Sequence, residues 1–167
     1  MHHRLGAAAL ALAVLAAPVA AQTIIVPKPV PYAVDNDIAA NVKAECELDT
    51  RLADFIKEGA AGQGITVELA ADVTDKTPGR VLLVEIKDAV SSGNAFIGHA
   101  KFVSLRGRLL ENGQVQGTFR ARRSSGGGAF GNWKGSCAVL GRCIKVLGED
   151  IGKWLRAPTM DAELGEK

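Results

Sequence analysis

Arginine is the residue type whose clustering in this chain most suggests a chemical task. Arg106, Arg108, Arg120, Arg122 and Arg123 crowd two neighbouring stretches, and Phe130 and Trp133 follow in the glycine-rich run beyond them. Guanidinium forks grip carboxylates and phosphates through paired hydrogen bonds, and flat rings are common anchors of binding surfaces. These seven residues are the candidate binding set, suited to an acidic protein partner, a phosphate or a glycan. The competing reading is that charged side chains on an outward sheet face serve solubility alone.

Other chemistry finds less footing. Two of the three histidines, His2 and His3, stand at the extreme amino terminus, which leaves His99 between Gly98 and Ala100. One imidazole excludes a histidine-rich metal site and a two-histidine acid–base pair. No Gly-x-Ser-x-Gly elbow accompanies His99 to complete a Ser-His-Asp arrangement. Glu85, Asp88, Glu149 and Asp150 lie beside lysines or on solvated faces, not as a spaced acid pair. Residues 126–131 match Gly-x-Gly-x-x-Gly in letters, but residues 132–135 separate them from the next helix and no strand follows to complete a dinucleotide-binding unit. The expectation is a binding protein with no cofactor, no metal and no catalytic residue. The alternative is a small hydrolase using His99, or a polysaccharide- or anion-binding protein using the arginines.

The compartment is read from the first 21 residues. His2, His3 and Arg4 make a basic start, residues 5–17 are an Ala/Leu/Val run, and Val19, Ala20 and Ala21 supply small residues for cleavage before Gln22. The apolar run is shorter than the roughly 20 residues a spanning helix needs, and no cysteine lies near Ala21 for lipid attachment. A cleaved signal peptide therefore predicts a soluble mature chain, periplasmic or secreted, with no membrane span. Removing it with Arg4 takes the 20 basic residues to 19 against 18 acidic ones. So even a balance gives no bulk attraction to nucleic acid.

Cys46, Cys137 and Cys143 allow at most one internal bridge in that oxidising compartment. Six residues apart on one helix, Cys137 and Cys143 have Cα atoms beyond the roughly 7 Å limit for a disulfide. Cys46 is the common partner. Pairing with Cys137, at the start of the helix where the chain can adjust, is favoured, and Cys46 with Cys143 is the alternative.

The elements that must position these residues follow from periodicity. Residues 22–37, with alternating Pro27, Pro29 and Pro31, predict an extended arm at a sheet edge or loose, because proline cannot serve a central strand. Ile38, Ala40, Val42, Ala44 and Cys46 alternate with polar residues as a half-buried strand does. Leu48, Leu52, Phe55 and Ile56 share a helical face that ends near Gly59. Ile65, Val67 and Leu69 form a short strand, residues 81–88 a second, and residues 91–94 a turn. Two longer strands, residues 96–110 and 114–123, flank Glu111, Asn112 and Gly113 in a hairpin. A three-residue loop pairing Leu109 with Val115, Leu105 with Phe119 and Val103 with Ala121 separates apolar from charged faces, and sets Gly107 opposite Gly117 as a notch for close approach. A last helix starts at Ser136 as N-cap and carries Leu140, Ile144, Leu147, Ile151 and Trp154 or Leu155 as one stripe. The fold class is α/β (α+β): a two-layer sandwich with a mostly antiparallel mixed sheet packed by two helices. Residues 38–156 form its single domain and 157–167 a carboxy-terminal tail.

The order of elements, the hairpin with Asn112 and Gly113 at its tip, the exit Arg122-Arg123-Ser124-Ser125-Gly126-Gly127-Gly128 and the ending Asp150-Ile151-Gly152-Lys153-Trp154-Leu155 resemble a bacterial envelope domain family of unknown function. That family is similar in fold to the amino-terminal domain of TolB, to LpoB and to CsgG. The resemblance covers mainly residues 65–155 and implies a mixed sheet with packed helices and a non-catalytic role in binding an envelope protein partner. It carries over no functional residue.

Overall fold

A computed structural model describes residues 23–94, 98–125 and 135–166, with the backbone alone for 92–94 and 98–100. The proposed leader, Phe130 and Trp133 lie outside the described residues, as does the side chain of His99. The elements are β1 (Ile24–Pro27), α1 (Ala40–Cys46), α2 (Leu48–Ala61), β2 (Val67–Ala70), β3 (Arg80–Asn94), β4 (Gly98–Glu111), β5 (Gln114–Ser124), α3 (Ser136–Trp154) and β6 (Ala162–Gly165). The strands form one mixed sheet in the order β2-β1-β3-β4-β5-β6, and the helices pack on one of its faces. The α+β sandwich is therefore as expected, with three described helices where the periodicity indicates two.

Alternation builds the buried face. Leu82, Val84 and Ile86 of β3, Val103, Leu105 and Leu109 of β4 and Phe119 and Ala121 of β5 meet Leu140, Ile144, Leu147 and Ile151 of α3 and Leu48, Leu52 and Ile56 of α2 in a single core. Helices α2 and α3 cross so closely that a Cβ on Gly59 would lie 2.3 Å from the Gly148 carbonyl oxygen, and one on Gly152 2.4 Å from the Gly59 carbonyl. Gly59 thus sits inside α2 at the crossing and does not end it, and the helix runs on to Ala61. α3 has Gly135 as its N-cap, with Ser136 its first residue.

Four further readings are corrected. Residues 24–27 are no edge arm: β1 pairs in parallel with β2 on one side and with β3 on the other. The prolines permit this by position. The Ile24 and Lys28 amides donate to the carbonyls of Thr66, just before β2, and Ala70, at its end, at 3.0 and 2.9 Å, so alternation turns the amide-less Pro27 toward β3, where the ladder has already ended at Ile25 and Val81. Residues 40–46 are a helix, not a strand, because only Ile38, Val42 and Cys46, four apart, are buried while Ala40 and Ala44 face solvent. The tail is part of the sheet, as β6 pairs in parallel with β5. Residues 91–94 are strand, carrying β3 to Asn94.

The hairpin register is corrected too. The turn has two residues, Asn112 (φ 50°) and Gly113 (φ 80°), both left-handed as the strand twist favours, and Leu110 pairs with Val115. A bulge between Leu109 and Leu110 then shifts the ladder by one residue, so that Leu109 faces Gly117, Gly107 faces Phe119 and Leu105 faces Ala121. The faces separate through that bulge and not through a longer loop. Both glycines are still points of close approach: a Cβ on Gly107 would meet the Phe119 ring at 2.4 Å, and one on Gly117 the Trp154 ring at 2.7 Å.

Candidate functional site

The helices leave the second face of the sheet uncovered, and alternation assigns it residues 102, 104, 106 and 108 of β4 with 118, 120 and 122 of β5. Two cross-strand rows define its centre. In one, Leu83, Arg108 and Thr118 lie side by side, and in the other Glu85, Arg106, Arg120 and Glu163. A groove of about 790 Å³ runs over them, apolar at the β1 side, where Pro27, Pro31, Val73 and Leu83 line it, and charged across β4, β5 and β6.

The arginines there differ in what they already hold. Arg106 sits opposite Arg120, a like-charge pairing that would cost stability if left alone. Its Nε donates to Glu85 at 2.7 Å and its Nη2 to Asp35 at 3.1 Å, and Glu85 raises its basicity further. Lys87 completes the cluster, hydrogen-bonded to Asp35 and holding that exposed carboxyl below its ordinary range. Arg122 lies on the same face with its guanidinium 4.0 Å from the centre of the Phe102 ring. Arg108 and Arg120 are exposed and have no partner among the described residues. Asp161, which lines the same groove, accepts from the Thr118 hydroxyl at 3.2 Å.

Arg123 does not join them. It turns to the helical side, where its Nη2 meets the Asp150 carboxylate at 2.9 Å and ties β5 to α3. Of the seven candidate residues, the structure gathers Arg106, Arg108, Arg120 and Arg122 on one face and sends Arg123 to the other.

Sequence reasoning missed the apolar half of the groove. Leu83 was within reach, since an apolar residue between the buried Leu82 and Val84 must point outward. Pro27, Pro31 and Val73 were not, because their placement depends on β1 entering the sheet. Asp35, which anchors Arg106, comes from the loop after β1 and had no local signal.

Away from this face, Cys46 at the end of α1 is bonded to Cys137 at the start of α3, with Cα atoms 4.8 Å apart. Cys143 is a buried free thiol whose pKa burial pushes up. No helix of the described residues is long and apolar enough to cross a membrane, and no group of His, Cys, Asp and Glu among them could hold a metal.

Fold and face together define an α+β sandwich with one helical layer and an open groove carrying two unengaged arginines. The sequence matches no known family model and no curated protein. Among solved structures the chain is similar in fold to a DUF330-family protein from Xanthomonas campestris, with a TM-score of 0.58 and 10% identity over 81% of this chain and 83% of that one. A PelC dodecamer from Paraburkholderia phytofirmans is similar at TM-score 0.48 and 14% identity, covering 77% of this chain and 86% of that one. A minor lipoprotein from Acinetobacter baumannii follows at 0.46 and 11%, covering 82% and 94%. At these identities the likeness is one of fold alone.

Proposed function

We propose that the chain is an exported accessory protein of the bacterial cell envelope that binds a protein partner, without catalysis, through the open face of its sheet. The observation that carries this reading is the pair Arg108 and Arg120, left without partners beside an apolar wall in a groove of about 790 Å³. A face kept open only for solubility has no need of a concave apolar patch, whereas binding surfaces combine one with arginine at the rim. The leader-like first 21 residues support export to the periplasm or beyond.

The test is a photo-crosslinking residue at position 108 in the native host, with captured species identified by mass spectrometry. One recurrent envelope protein, lost in an Arg120→Glu background, is the expected result. Only glycan or scattered adducts would overturn the reading and favour a polysaccharide-binding role.

A further inference from the structure

The groove also limits what the partner can present. We propose that the partner enters it as an extended acidic segment, with two carboxylates at positions i and i+2 on Arg120 and Arg108 and an apolar side chain at i+4 on the wall of Pro27, Pro31, Val73 and Leu83. This rests on the protein-binding reading above and adds the chemistry of the occupant.

Three observations converge on it. First, the donors left free in the groove are guanidiniums: Glu85 is held by Arg106 and Asp161 accepts from the Thr118 hydroxyl, while among the described residues Arg108 and Arg120 make no ion pair with Asp161 or Glu163, the acids that line the groove with them. Glu163 is the Cα partner of Arg120 yet makes no ion pair with it. Second, Arg108 and Arg120 are diagonal neighbours, since Arg108 pairs with Thr118 and Arg120 with Arg106. Diagonal positions on adjacent strands are about 7–8 Å apart, close to the roughly 6.6 Å between same-side residues of an extended chain. Neighbouring side chains at i+1 point the other way, and the helical spacings i+3 and i+4 follow a different rise. Third, the row that contains Arg108 continues into Leu83 on β3, and Pro27, Pro31 and Val73 line the same groove. The same diagonal carried two positions past the second acid reaches β3 at the level of Val81, one same-side step from Leu83 and within side-chain reach of the wall. A polymer of phosphates would match the arginines but would leave that wall uncovered.

The experiment uses the mature protein, residues 22–167, and synthetic ten-residue peptides containing Glu-x-Glu-x-Leu, with x as Ser or Gly. Binding is followed by NMR, reading the side-chain Nε–H signals of the arginines, which detects millimolar affinity. Saturable shifts at Arg108 and Arg120 are expected. Weakening should be about tenfold or more when either Glu becomes Gln, when the acids are moved to i and i+3, or in Arg108→Gln, as loss of a charge-assisted hydrogen bond implies. Equal binding at all spacings, or by Gln peptides, would overturn the proposal, as would preferential binding of anionic lipid vesicles or acidic oligosaccharides. If crosslinking at position 108 captures an envelope protein while these peptides leave the arginine signals unmoved, the protein-binding reading stands and the acidic-strand proposal fails. If neither gives a signal, both fail.

Discussion

The two faces of this sheet are made by the same strands, residue by alternate residue, and have opposite fates. On the inner face Val84, Val103, Leu105 and Phe119 are at most 2% exposed, and the one arginine that turns inward, Arg123, is paired with Asp150 of α3. On the outer face Arg106 is tied to two acids, Arg122 lies against a ring, and Arg108 and Arg120 have no partner among the described residues. The inner face pairs its one charge and has glycine where a ring or a helix must come close, and the buried Trp154 Nε1 is its one core donor without an acceptor among the described residues. The outer face leaves two strong donors and an apolar wall unanswered. The contrast separates what the chain needs in order to fold from what it offers to something else.

Breaking the inner face should therefore unfold the protein, and the largest effect is expected from the bond that anchors its helical layer. The Cys46–Cys137 link closes a separation of 91 residues. Replacing both cysteines with alanine should cost about 4–5 kcal/mol by the loop-entropy relation, read as a lowered midpoint in urea unfolding. An unchanged midpoint would mean that the helical layer is held without it. Next in size is Gly59→Ala, whose new methyl would press on the Gly148 backbone from 2.3 Å. Overpacking of this kind costs about 1–3 kcal/mol. Gly62→Ala, three residues on, is the control: its nearest neighbour would be 3.5 Å away and its backbone is right-handed helical. That variant should be neutral or slightly more stable.

The inner face is also the part that was legible in the sequence. The stripe from Leu140 to Ile151 and the alternation in β4 and β5 are strong local patterns, and each has a single way to bury its apolar side. Ile38 to Cys46 misled because its residues satisfy period two and period four together, and helix packing decided between them. The Asn112-Gly113 turn and the face separation pointed to different registers, and the chain satisfies both with a bulge that no local pattern marks. β1 and β6 were illegible for another reason. Four-residue strands in parallel pairing are specified by partners distant in sequence, so the prolines near β1 looked prohibitive until the ladder showed which amides it uses. The arginine face was half legible: alternation puts residues 106, 108, 120 and 122 together, but the pairing that spends Arg106 and spares Arg108 and Arg120 depends on Asp35 and Asp161, which arrive from loops.

Changes on the outer face should separate binding from stability. Arg108→Glu removes no hydrogen bond or ion pair among the described residues, so its unfolding free energy should stay within about 0.5 kcal/mol of the parent, while crosslinking or peptide binding at the groove is lost. A destabilisation comparable to that of Gly59→Ala would erase the distinction between the faces. Arg106→Gln should do something intermediate, since it releases Asp35 and Glu85 but leaves the unpaired arginines in place.

The smallest effect expected is confined to acid pH. The hydrogen bond from Lys87, with Arg106 close by, holds the Asp35 carboxyl below its ordinary 3.8. A carboxylate lowered on folding stabilises the native state at pH values above that ordinary value, and the contribution disappears as pH falls through the lower folded value. Asp35→Asn lacks this term at every pH. Its thermal midpoint should therefore lie below the parent at pH 6, and the two should converge as the solution is taken below pH 3.8. Glu166→Gln should behave alike at the other edge, because the Ser124 hydroxyl and amide lower the Glu166 carboxyl in the same sense. A constant gap from pH 6 down to pH 2 for Asp35→Asn would show that the Asp35 carboxylate does not stabilise the fold through its charge. Arg106 would then rest on its bond to Glu85 alone, and it would still be set apart from Arg108 and Arg120.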